Sequence, residues 1–375
     1  MHIGFIEDTK LHGGTQLWVL EAITYFLNQG IDITVLTPRK GWLDDECRKN
    51  GLPIFLSNYN YHETDLQSSE LMNIWIKSLR DCDVAICTVH PPRGNFHCSI
   101  FAAKCIKKAN LKTILIMKTG TIVPTYKREF YLPDRSIPSF IVTITEYARR
   151  HLIEKYSISE KLVSCIYQGI NIDSFTPNSE RRLVVEKMYP LRDSTPIICS
   201  IGYLEHRKGH LLLLKALLNL IHNGFPKIHL LIVGDGPDEL LLKNKVIEME
   251  LENFVTFIPF TREVVNIYER SDLLILPSLY KEGLPNVILE SLAMKTPVIA
   301  SNIGGISEVV YNGENGYLIE PGDVDQLTEV IKEICSNQES YQRLCNNTRQ
   351  RIVSEFDRYV QFDKFLDYFQ KIIRE

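Results

Sequence analysis

The chain has 375 residues, room for two domains of ordinary size, and its 45% hydrophobic and 23% charged residues suit a soluble protein with a full core. A formal net charge of -4 argues against a dedicated nucleic-acid binder. Nine cysteines with no C-x-x-C pair argue against both a disulfide framework and a zinc site.

A strand at 3–6 opens the chain and leads into His12, Gly13, Gly14 and Thr15. Residues 1–6 carry no basic leader, so they read as a strand and not as a signal peptide. A helical pattern follows (Leu17, Leu20, Ile23, Tyr25, Leu27), closes at Gly30, and gives way to a strand at 31–36. The alternation recurs as a strand at 84–89, a helix around 99–109, strands at 113–117 and 140–144, and a helix around 146–156. Short apolar strands alternating with helices predict a parallel sheet covered on both faces. Residues 171–195 are polar, contain prolines, and read as a linker. The pattern restarts with a strand at 196–201, a helix at 209–223, strands at 229–233, 254–257 and 273–276, a helix at 286–294 and a strand at 297–300. The expected fold is α/β: two Rossmann-like, doubly wound domains, 1–172 and 173–355, sharing a ligand cleft at the carboxyl ends of their strands. No apolar run is long enough to cross a bilayer, which points to the cytoplasm. From Arg93 to Lys161, however, thirteen Lys or Arg meet five Asp or Glu, a local balance of +8. That stretch reads either as a solvated surface or as a peripheral contact with an anionic inner membrane face.

Polar residues concentrate after the 273–276 strand: Glu282, Gly283, Leu284, Pro285, Asn286, Val287 and, eight residues beyond the first acid, Glu290. The loop brings backbone N–H groups to a helix N-terminus, a setting that suits an anion. Two carboxylates flanking such an anion could accept hydrogen bonds from hydroxyls on either side of a diphosphate. On spacing alone, Glu282 could equally favour the helix end electrostatically, with Glu290 a solvated helix residue. Arg207 and Lys208 lie at the turn after the 196–201 strand, where adjacent cations can offset a phosphate's charge or sit idle in solvent. Gly13 and Gly14, with Thr15, offer bare backbone to an anion, or simply a turn that needs positive φ. His90 ends the 84–89 strand, where a lone histidine is as suited to structure as to chemistry.

Taken together, these motifs make the chain similar, over nearly its whole length, to glycosyltransferase family 4, retaining enzymes of the GT-B fold. Glu282 and Glu290 match the family's paired glutamates, in a Leu-Pro-Ser…Glu-Gly-Leu-Pro-Asn-Val…Glu setting. Residues 233–237, 296–301, 308–310 and 315–318, together with Gly209, Gly304 and Gly305, continue the match. The resemblance implies that Glu282 binds hydroxyls of the donor sugar and Glu290 the ribose diol. Lys208 and backbone amides near Gly283 and Leu284 would hold the diphosphate, and His90 would stand near the reacting sugar. It also implies a helix of about 356–375 packing back on the N-terminal domain. Where the family usually has arginine after the strand glycine this chain has Tyr203, and Arg207 is the candidate replacement.

Asp81 with Asp83, and Asp323 with Asp325, show the D-x-D spacing that holds a divalent metal in another class of glycosyltransferase. Neither is taken as a ligand pair, because the cations and the helix N-terminus already supply the charge stabilisation. No metal and no cofactor are expected. The reading is a metal-independent hexosyltransferase that moves glucose or a related hexose from a UDP-sugar to a glycan or lipid-linked saccharide, in cell-surface polysaccharide synthesis. A nucleotide-sugar epimerase of the same architecture is the alternative. A dinucleotide oxidoreductase is disfavoured, since no G-x-G-x-x-G follows a strand.

Overall fold

The computed structural model describes residues 1–10, 13–52, 55–57, 67–89, 97–120, 122, 124–188, 196–225 and 227–375. The chain divides into two compact units: Met1–Gln168 with Tyr359–Glu375, and Gly169–Arg358.

In the first unit, strands β1 (His2–Ile6), β2 (Asp32–Pro38), β3 (Phe55–Ser57), β4 (Val84–Val89), β5 (Ile114–Thr119), β6 (Ser139–Thr143) and β7 (Val163–Cys165) form one sheet. Every pairing is parallel, in the order β3-β2-β1-β4-β5-β6-β7. All six residues of β4 are buried, as a strand covered on both faces requires. Its side chains alternate between two cores. Val84 and Ile86 join the helices α1 (Gly14–Asn28) and α2 (Trp42–Lys49), whereas Ala85, Cys87 and Val89 join α3 (Ser69–Leu79), α4 (Cys98–Ala109) and α5 (Glu146–Tyr156). The second of these cores is pinned by Trp75 against Phe101, ring centroids 4.9 Å apart and edge to face. Trp18 joins the first, packed against Phe362 and Phe365 of the last helix, Arg358–Arg374, whose Phe369 meets Phe26. The Trp18 and Phe365 rings lie 5.1 Å apart.

In the second unit, β8 (Ile197–Ile201), β9 (His229–Val233), β10 (Val255–Ile258), β11 (Leu273–Leu276), β12 (Val298–Ser301) and β13 (Gly316–Ile319) form a parallel sheet in the order β10-β9-β8-β11-β12-β13. The helices are α6 (Arg182–Met188), α7 (His210–His222), α8 (Glu239–Glu248), α9 (Val264–Arg270), α10 (Asn286–Ala293), α11 (Val324–Ser336) and α12 (Gln338–Glu355); the last helix of the chain is α13. Each unit is thus doubly wound, as the GT-B expectation requires. One expectation is corrected. The stretch 171–195 is not a bare linker: α6 lies inside it, buries Val185 and packs on α9.

Where the chain enters and leaves this unit, its two stretches are tied together. Ile170 forms a bridge with Asp357, and the Arg358 guanidinium donates to the Gly169 carbonyl from Nη2 at 2.9 Å and from Nε at 3.2 Å. These ties place both crossing points inside the second unit.

Candidate active site

The site grows from the carboxyl ends of β8 and β11, the two central strands of the second sheet, where their order reverses. This is the ligand-binding edge of a doubly wound unit. After β8 the chain turns through Gly202 and the 3-10 segment His206–Lys208, then enters α7 at Gly209. Gly209 has φ 72°, and a Cβ there would fall 2.0 Å from the Pro277 carbonyl oxygen. Only a bare Cα lets the two loops press together. The Leu279 N–H then donates to the Arg207 carbonyl at 2.8 Å, joining the turn after β8 to the loop after β11.

The joined loops bring three of the expected residues into one cluster. Glu282 Oε1 accepts from Lys208 Nζ at 2.7 Å, Arg207 Nη1 at 3.0 Å and Ser278 Oγ at 2.7 Å. The Glu282 side chain is 7% exposed, so these bonds act with little water between them. Arg207 is oriented from its other side by Glu205, whose Oε1 accepts from Nε at 2.9 Å and Nη2 at 2.6 Å. A further bond from Nη1 to the Lys281 carbonyl, 3.1 Å, fixes the plane of the guanidinium.

The backbone of Glu282 and Gly283 is clasped from β12. Gly304, φ 60°, lies so close that a Cβ would stand 2.0 Å from the Glu282 carbonyl oxygen, and Gly305 N donates to Gly283 O at 2.9 Å. Beyond this clasp, Leu284 is buried, Pro285 is the residue before α10, and Asn286 and Val287 open the helix. No side chain of the capping residue covers that N-terminus. The helix dipole places positive potential at this end, close in sequence to Gly283.

Glu290 sits one turn into α10. Its Oε2 accepts from the Tyr268 hydroxyl of α9 at 2.9 Å. Burial raises the Glu290 carboxyl above its ordinary value, while the Tyr268 bond and the Arg358 charge pull it down. It is not the solvated helix residue that spacing alone allowed. His210, at the start of α7, is held down to about 4 by burial and then by the Lys208 charge, so its imidazole is neutral at pH 7.

The other expected residues lie elsewhere. Gly13, Gly14 and Thr15 belong to the first unit, where Gly13 precedes α1 without a side-chain cap. Its φ of -172° is extended backbone, so no left-handed turn demands this glycine. His90 lies outside the described residues. The D-x-D acids serve local structure: Asp83 Oδ2 accepts from His2 N at 2.8 Å, and Asp323 caps α11 by accepting from Gln326 N at 2.9 Å. Asp8, His97 and Cys98 form a further group in the first unit. Asp8 Oδ2 already accepts from the Cys98 N–H, and the Cys98 thiol donates to Thr88 O, so the group explains itself as the N-terminal turn of α4. Glu205, Ser278 and Tyr268 were not anticipated. Ser278 stands in the Leu-Pro-Ser part of the matched motif and Glu205 two residues before Arg207, but no sequence signal marks Tyr268.

Residues 185–351 match the family described as Glycosyl transferases group 1. An uncharacterized glycosyltransferase of Haemophilus influenzae is 32% identical over 210 residues, covering 56% of this chain and 55% of the relative. The UDP-Gal:alpha-D-GlcNAc-diphosphoundecaprenol alpha-1,3-galactosyltransferase of Escherichia coli is 29% identical over 219 residues, covering 58% of this chain and 56% of the relative. The matches thus span little more than half the length of these relatives. Among solved structures, Anabaena Alr3699/HepE in complex with UDP superposes with a TM-score of 0.86 at 17% identity, over 99% of this chain and all of that one. A glycosyltransferase from Rickettsia africae gives 0.83 at 20% identity, over 100% of this chain and 99% of that one. At these identities the likeness speaks for the two-unit fold alone. The stretch that matches the group 1 glycosyl transferases holds the Arg207, Lys208, Glu282 and Glu290 constellation.

Proposed function

We propose that the protein is a retaining hexosyltransferase. It would take glucose or a related hexose from a UDP-sugar and attach it to a glycan or a lipid-linked saccharide, in cell-surface polysaccharide synthesis. The observation that carries this reading is the meeting of Lys208 and Arg207 on Glu282, at the carboxyl ends of β8 and β11 and just before the N-terminal end of α10. Two cations beside the positive end of a helix suit a leaving diphosphate, whose negative charge grows as the sugar departs. Losing one such donor costs roughly 3–4 kcal/mol in the transition state. Glu282 would then meet the sugar hydroxyls and Glu290 the ribose diol; Gly13, Gly14 and His90 are the further residues proposed to take part. The names of the compared proteins fit this choice. One was crystallised with UDP-glucose, and the E. coli relative uses UDP-galactose with a saccharide on an undecaprenol diphosphate.

Among the described residues no helix is long and apolar enough to cross a membrane. The proposed location is the cytoplasm, with peripheral contact at the inner membrane face through exposed lysines of α4.

The test is a melting experiment with UDP. UDP should raise the melting temperature without added metal and after EDTA, by about 2.7 kcal/mol of stabilisation at a hundredfold excess over Kd. Strict dependence on Mg²⁺ or Mn²⁺ would overturn the metal-independent mechanism. Turnover of UDP-glucose to another UDP-hexose, without acceptor, would instead mark an epimerase.

A further inference from the structure

Every hydrogen bond of the Glu282 carboxylate falls on one oxygen. Lys208, Arg207 and Ser278 all donate to Oε1, and Oε2 has no partner among the described residues. For its part, Lys208 has no other hydrogen-bond acceptor among those residues, and Arg207 divides its donors among Glu205, Glu282 and one carbonyl. The cluster therefore holds two cations and two carboxylates and is neutral as it stands. A carboxylate and a phosphate offer the same chemistry to a lysine and an arginine, namely anionic oxygens that accept charge-assisted bonds.

We infer that Glu282 is a resident anion on the diphosphate subsite, and that it selects ligands by whether they carry the terminal phosphate that displaces it. This rests on the donor reading given above. In that reading Glu290 holds the ribose and Glu282 meets the sugar, so Lys208 and Arg207, bonded to Glu282, stand at the sugar-bearing end of the diphosphate. A nucleoside diphosphate arriving there meets a like charge on its own cations and must expel it. A nucleoside monophosphate does not reach that far and leaves the carboxylate in place.

Expulsion is a side-chain movement only. The Glu282 backbone is clasped by Gly304 and Gly305, so the carboxyl rotates while its Cα stays where it is. Glu205 is positioned to remain. Among the described residues its carboxylate is bonded to Arg207 alone, through two donors, and keeps the guanidinium aimed at the site after Glu282 has left. The same event that seats the phosphate frees both Glu282 oxygens for hydroxyl groups, so the carboxylate becomes available to the sugar when the donor is bound.

The experiment is calorimetric titration of the full chain with UDP, UMP and inorganic pyrophosphate, in the parent and in Glu282→Gln. Glutamine keeps the shape and removes the competing charge. UDP and pyrophosphate should each bind about tenfold more tightly to the variant, while UMP changes by less than about twofold. Ser278→Ala, which removes one of the three donors holding the carboxylate, should tighten UDP by roughly two- to threefold and report the same competition without touching the charge. Weaker or unchanged UDP binding to Glu282→Gln would overturn the inference, as would equal tightening of UMP. Should the parent bind no UDP, the nucleotide reading falls, and pyrophosphate alone still decides for or against the resident anion.

Discussion

Gly304→Ala offers a stringent test of how the site is held. The added Cβ would stand 2.0 Å from the Glu282 carbonyl oxygen, against the 3.0 Å below which such contacts do not occur, so the backbones must part by at least 1 Å. The left-handed φ of 60° adds about 1–2 kcal/mol of strain for any residue with a Cβ. A displacement of that size at the carboxylate proposed to meet the reacting sugar should cost roughly 100-fold in rate. Gly313→Ala serves as the control, because Gly313 has φ 75° but nothing within 4 Å of the added atom. It carries the strain without the displacement. UDP release from UDP-glucose and UDP affinity by calorimetry would be measured on both variants, with melting temperatures. The expectation is that both lose stability, but only Gly304→Ala loses donor turnover by about two orders of magnitude. Parent-like turnover in Gly304→Ala would refute the claim that this glycine sets the position of Glu282.

Glu290→Gln probes the half-buried carboxyl through pH. Its raised folded value means that the folded chain holds the proton more tightly than the unfolded one, so its contribution is full below the ordinary 4.5 and is lost as pH rises through the folded value. The variant's melting temperature, relative to the parent's, should therefore climb from pH 4.5 to pH 7 in the unliganded protein, and a flat difference would count against the burial. The thiols of Cys47, Cys82, Cys105 and Cys199, pushed up to about 12 chiefly by burial, should resist Ellman's reagent at pH 8 until the chain is unfolded. On α4, Lys104, Lys107 and Lys108 are all exposed, but Lys107 is paired with Asp134 at 2.8 Å. Replacing Lys104 and Lys108 by alanine should weaken binding to anionic vesicles at low salt roughly thirtyfold, at about 1 kcal/mol per cation. Equal sedimentation with neutral vesicles would remove the membrane role.

The doubly wound plan was legible because its signal is local. The apolar run 84–89 can only be a strand covered on both faces, and the glycine-punctuated turns after the strands at 3–6 and 196–201 mark where ligand edges form. Helices such as α2 and α12 were missed for the opposite reason. Their sequences are rich in charge, and what holds them is a few buried contacts, Leu43 and Cys47 in the first case and Leu344 and Ile352 in the second. Within the site, the sequence pointed to Glu282, Arg207 and Lys208 but not to their mutual bonding. The two loops lie more than seventy residues apart, and their joining depends on Gly209 and Pro277 meeting in space. Tyr268 carries no motif at all. Its link to Glu290 follows from how α9 packs, which no local pattern encodes.

The return of α13 to the first unit sets an order of events during synthesis. Trp18 and Phe26 emerge from the ribosome early, yet the aromatic rings that cover them, Phe362, Phe365 and Phe369, are made only after the whole of Gly169–Arg358. At ordinary elongation speeds that interval is roughly 10 to 40 s. Throughout it, the nascent first unit displays an open apolar face on the α1 side of its sheet. The second unit, continuous in sequence from Gly169 to Arg358, can close its core first, so the half of the protein that is translated last in one piece is the half that finishes folding sooner. A nascent chain stalled before residue 359 should accordingly bind hydrophobic-surface chaperones through its N-terminal unit, and release them once α13 is out.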